Sequence, residues 1–126
     1  MDIVTRHEGE ATILALSGDI TLYNTPEVRK SILSLLKDKR VPALLVDMRA
    51  VRYIDSSGVA SLVEGLKASR DMGSRFALYG LTKTTREVLE LTRLVRVFEV
   101  YETEQQALTG NPAGQDTARG AGNRGR

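Results

Sequence analysis

Apolar and polar positions alternate with changing periods along this chain, and each change predicts an element. Residues 3–5 and 13–17 are rich in apolar and β-branched side chains, and Glu8-Gly9-Glu10 lies between them, which predicts two strands joined by a turn. Gly18-Asp19 signals a further turn or a bulge, and Ile20-Thr21-Leu22 can prolong the extended chain. A helix start follows in two versions. Thr25 caps it with Pro26 at the first helical position, or Asn24 and Glu27 form a capping box. Val28, Ile32, Leu35 and Leu36 then fall on one stripe, with Arg29, Lys30, Lys37 and Asp38 elsewhere.

That stripe needs an apolar surface to pack on. Leu44, Leu45, Val46 and Met48 supply one as a run apolar on nearly every residue, the pattern of a strand covered on both faces, with Pro42 near its start. Residues 49–52 read as a short connection, and Tyr53-Ile54 leads into Asp55-Ser56-Ser57-Gly58. From there the spacing becomes helical: Val59, Leu62, Val63 and Leu66 share a face, and Gly73 ends it. Residues 75–79 form another strand. A helix capped by Thr84, with a stripe of Val88, Leu91 and Leu94 or Val95, comes next, then a short strand at 97–100 and a short helix at 102–108. Strands alternating with helices, joined by right-handed crossovers, predict a small α/β domain with a mixed sheet and crossover helices packed against it.

Composition narrows the function more than the fold. Among 126 residues there is no cysteine, which removes disulfides and thiolate chemistry and fits a reducing, cytoplasmic setting. No apolar run is long enough to span a membrane. The net charge of +2 resides in the last stretch, where Arg119, Arg124 and Arg126 face only Asp116; the remainder is balanced and offers no basic surface for direct nucleic-acid binding. Residues 1–108 therefore form the expected domain. Residues 109–126, glycine-rich and lacking large apolar side chains, are expected to be a disordered tail. The charged outer faces of the helices suggest a monomer or a weak homodimer.

Catalytic inventories are thin. His7 is the only histidine and stands among polar residues, and a nitrogen- or sulfur-rich metal site is excluded by composition. Asp19, Asp47 and Asp55 have no spacing that specifies magnesium, and Ser56 and Ser57 have no evident activating base. No phosphate-binding glycine loop is present. No catalytic residue, metal or cofactor is assigned.

The segment Asp55-Ser56-Ser57-Gly58 stands apart. One side chain, Asp55 or Ser56, suffices to cap the helix, and the glycine leaves room for a backbone or a phosphate to approach. A phosphate there would meet the positive end of the helix without unfolding it, yet would change the surface offered to a partner. Plain cap and regulated docking site both fit these residues. Arg49, Arg52, Lys83 and Arg86 lie near the ends of successive strands, as scattered surface charge or as a basic surround for the serines.

These features together resemble a STAS domain, the fold of bacterial anti-sigma factor antagonists, over residues 3–108. The resemblance is carried by LSGDITLYNTPEVRK, by PALLVDMRAVRYIDSSGVASL, and by the DSSG motif before an amphipathic helix. It implies a protein without catalytic activity that binds an anti-sigma factor serine kinase and so releases a sigma factor. It also implies that the serine before the motif glycine, Ser57, accepts a phosphate, with Ser56 as second choice, and that a serine phosphatase removes it. Asp55, Ser56, Gly58 and Ser61, with Arg49, Arg52, Lys83 and Arg86, would then complete the partner surface. A second branch of the family implies an alternative: an accessory subunit of a lipid-transport ABC permease, or a scaffold that does not switch.

Overall fold

The structure, a computed structural model, describes residues 1–110, and most of the expected tail lies outside the described residues. Strand β1 (Asp2–Glu8) pairs antiparallel with β2 (Ala11–Ile20) through a tight turn in which Gly9 adopts a φ of +64°. Strands β3 (Ala43–Ile54), β4 (Arg75–Tyr79) and β5 (Glu99–Tyr101) follow in parallel, so the sheet is mixed and its strand order equals chain order. Helices α1 (Thr25–Leu33), α2 (Ser56–Met72) and α3 (Lys83–Leu91) contribute to one large core, whereas α4 (Glu104–Thr109) contributes to a second, smaller one.

Side-chain alternation on β3 explains why two cores exist. Leu44, Val46 and Met48 enter the large core together with Val28, Ile32 and Leu62 from the helices; Leu45 enters the small one with Tyr79, Tyr101 and Ala107. The continuous apolar run is thus a strand covered on both faces, as expected. Each fully buried Leu, Ile or Val contributes about 1.5–3 kcal/mol. The stripe Val28, Ile32, Leu35, Leu36 is buried throughout, continuing past α1 into a π-helical turn at Ser34–Asp38.

Four local expectations are corrected. Residues 49–52 do not form a connection: β3 continues to Ile54 because β2 also runs on through Gly18-Asp19 beside it, with register shifts at 15/17 and 18/19 that absorb the irregularity as a bulge. Neither capping version holds at α1, since Asn24 makes no capping hydrogen bond; its Oδ1 accepts from the Thr21 N–H (2.8 Å) and its Nδ2 donates to the Asp19 carbonyl (2.6 Å), tying the loop back on itself. Helix α3 is capped by Thr82, whose hydroxyl accepts from the Thr85 N–H, instead of by Thr84. Its fully buried contacts are Thr85 and Leu89; Val88, Leu94 and Val95 of the expected stripe pack half-buried against the large core. Leu91 is 84% exposed, because the chain turns away at Arg93 (φ +62°) and the Leu94 N–H folds back to the Leu89 carbonyl (2.8 Å). Gly73, by contrast, closes α2 in the left-handed conformation as read.

Candidate functional site

The C-terminal ends of the parallel strands lie along one rim of the sheet. There the β2–α1 loop, the β3–α2 junction and the start of α3 follow one another. Asp55 sits at the junction in extended conformation and caps α2: its Oδ1 accepts the Gly58 N–H at 2.9 Å. Its own N–H donates to the Ile20 carbonyl at 3.0 Å, which joins the helix start to the end of β2. Because Asp55 does the capping, Ser56 and Ser57 are released from that task. Ser56 is exposed, Ser57 is half-buried, and neither hydroxyl makes a hydrogen bond among the described residues.

Gly58 plays a different part from the open space expected of it. It is buried, and a Cβ there would stand 2.5 Å from Ile54 Cγ1 and 2.8 and 2.9 Å from Ile20 Cγ2 and carbonyl oxygen. The glycine lets the helix seat directly on the strand ends. Ser61 is buried as well, and its hydroxyl donates to the Ser57 carbonyl at 3.1 Å, so it supports the first turn from beneath.

The basic residues divide between two faces. Arg49 does not approach the serines; it lies on the α4 face, where its guanidinium bonds both Asp47 oxygens (3.0 and 2.7 Å) and stacks 5.5 Å over the Tyr79 ring. Even indices on β3 point toward the crossover helices in this stretch and odd ones away, which places Arg49 beside Asp47 and not beside α2. Arg52 is largely exposed and pairs with Asp19 at 3.4 Å. Lys83 and Arg86 begin α3 farther along the rim and make no ion pair among the described residues.

Two features escaped the sequence. The first is a trio of exposed apolar side chains at the rim, Leu22 (66%), Tyr23 (94%) and Tyr53 (46%). An apolar pair stranded in a loop just before a helix start is the only signal that could have found it. The second is a polar cluster under α4: Glu104 accepts hydrogen bonds from Arg6 and from the Tyr79 hydroxyl (2.9 Å). The Arg6 hydrogen bond holds the Glu104 carboxyl below the usual glutamate range, against some burial. At Asp47 burial pulls upward, but the Arg49 bonds prevail and lower it. Burial, then the Glu104 hydrogen bond, push the Tyr79 hydroxyl well above the usual tyrosine range. Partners from four separate segments, β1, β3, β4 and α4, make this cluster invisible to spacing. No group of three or more His, Cys, Asp or Glu among the described residues is placed to hold a metal, and no described helix is long and apolar enough to cross a membrane.

Comparison with known proteins fits this geometry. The sequence profile of the STAS domain matches residues 2–107. The anti-sigma-B factor antagonist of Listeria monocytogenes is 30% identical over 98 residues, which are 78% of this chain and 84% of that protein. Among solved structures, an anti-sigma factor antagonist from Mycobacterium paratuberculosis superposes with a TM-score of 0.79 at 25% identity, covering 86% of this chain and 92% of the other. A Thermotoga maritima crystal structure reaches a TM-score of 0.81 over the same shares at 23% identity, a likeness of fold.

Proposed function

The chain belongs to the STAS domain family, and from that premise we propose that it is an anti-sigma factor antagonist whose docking to an anti-sigma factor serine kinase is controlled by phosphorylation of Ser57. The observation that carries this reading is the division of labour at the start of α2. Asp55 alone satisfies the capping position, leaving a serine hydroxyl without a hydrogen bond among the described residues at an accessible, positively polarised helix end. In the unmodified state the rim docks the kinase, which then releases its sigma factor. In the modifying step the γ-phosphoryl group of ATP passes to Ser57 Oγ as the hydroxyl proton leaves and ADP departs. A serine phosphatase returns the docking form by hydrolysis.

The first-turn N–H groups accommodate the phosphate, so the fold survives while docking is lost through about two added negative charges at a close-packed surface. Ser56, more exposed but one position farther from the motif glycine, is the second choice. Lys83, Arg86 and Arg52 are the basic side chains available along the rim to a partner; Arg49 is committed elsewhere.

The test compares partners captured by the wild-type chain, Ser57→Ala and Ser57→Asp from the native cell, with mass-spectrometric mapping of phosphorylated residues. A kinase-like partner retained by Ser57→Ala and weakened at least about tenfold in Ser57→Asp is expected, a loss of the size of one charged contact. Equal capture by Ser57→Asp, or a phosphate found on neither serine, overturns the switch.

A further inference from the structure

The two oxygens of the Asp55 carboxylate are committed to different elements. Oδ1 accepts the Gly58 N–H of the first α2 turn at 2.9 Å, and Oδ2 accepts the Leu22 N–H of the β2–α1 loop at 3.0 Å. Within the loop, the Asn24 and Thr25 N–H groups both turn back to the Thr21 carbonyl at 3.0 Å, which folds the loop upon itself. Asp55 is what ties it across to α2. Leu22 and Tyr23 are held out to solvent at 66% and 94% exposure, and Tyr53 near the end of β3 is 46% exposed. An aromatic and a leucine displayed in this way, continuous with a protein-docking rim, are anchors for an apolar pocket on a protein partner.

The geometry points to a docking surface in two coupled parts: Leu22 and Tyr23 enter an apolar pocket of the same partner that meets the serines, and Asp55 holds them in place until Ser57 carries a phosphate. This rests on the reading of Ser57 given above. A phosphate two residues from Asp55 brings like charge to the carboxylate and competes with it for the N–H groups of the first turn. Of the two Asp55 bonds, the one to a surface loop yields more readily than the one within a packed helix. Phosphorylation then acts twice, by charging the surface and by loosening its apolar anchor.

Amide hydrogen exchange followed by NMR on the full chain tests the coupling. The samples are wild type, a form carrying genetically encoded phosphoserine at 57, Asp55→Asn, and Asp55→Ser. The asparagine keeps one capping oxygen and presents an NH₂ where Oδ2 stood; serine keeps a cap with no second oxygen, and serves if the asparagine form misfolds. Leu22 and Tyr23 should exchange at least about tenfold faster in all three altered forms, while Leu62 and Leu66 stay within about twofold of wild type. Unchanged Leu22 exchange in the phosphoserine form overturns the coupling.

The docking half is read from Tyr23→Ala, unphosphorylated. It should capture the partner at least about tenfold more weakly at an unaltered melting temperature, and undiminished capture overturns it. If Ser57→Asp loses the partner while Leu22 exchange is unchanged, this inference alone fails. If Ser57→Asp keeps the partner, the reading of Ser57 fails with it.

Discussion

At the scale of single residues, the site depends on Asp55 and Gly58 in ways the sequence disclosed unequally. The capping role of Asp55 could be read from its place before a helical stripe, since the group it caps is three residues away. Its bond to Leu22 could not, because that partner lies 33 residues off in a loop without periodicity. Gly58 was legible as a small residue but for the wrong reason: the space it leaves is filled by Ile20 and Ile54. Gly58→Ala should therefore cost about 1–3 kcal/mol in urea denaturation, as overpacking does, even though alanine favours helices. An unchanged midpoint would mean that the strand ends move aside. Asp55→Ala should lose about 0.5–2 kcal/mol as a cap and, unlike Gly58→Ala, should also free the Leu22 amide.

At the scale of elements, α4 is the piece most dependent on its surroundings. Six residues are too few for a helix to persist alone. It is held by the reciprocal Thr103–Gln106 capping box, by burial of Ala107, and by Glu104 under Arg6 and Tyr79. The folded chain lowers the Glu104 pKa, so this contribution is present above the unfolded value of about 4.3 and is lost as pH falls through the lower folded value. Exchange protection of α4 should accordingly fall in acid, and Glu104→Gln should show the weakened protection already at pH 7 with a flattened dependence below pH 5. Wild-type-like protection in that variant would remove the carboxylate from the account. Tyr79 is shifted the opposite way: its raised pKa favours the folded state below the unfolded value of about 10, an advantage that fades as pH rises above it. Helix α3 shows why element boundaries elude pattern. Its core contact Thr85 is polar, satisfied by donating to the Thr82 carbonyl (3.1 Å), and a count of apolar positions passes over it in favour of the exposed Leu91.

At the scale of the whole molecule, the succession of strands and helices was legible because period changes survive averaging over ten residues. The covering of both sheet faces was visible in the run Leu44 to Met48. Which helix covers which face was not, since α4 is too short to show a stripe and its clasp draws on β1, β3 and β4. Both cores share β3 and β4, so neither can open without the other. Far-UV circular dichroism and tyrosine fluorescence should therefore trace one coincident urea transition, with a slope of about 1–3 kcal/mol per molar; separated transitions would show that the α4 face unfolds on its own. The agreement of strand order with chain order has a further consequence. Crossovers that always advance in one direction never diverge, so this sheet has no point where two of them part to leave a crevice at the strand ends. The edge that the proposed docking uses is therefore a continuous ledge, and on that reading it is grasped across several loops at once.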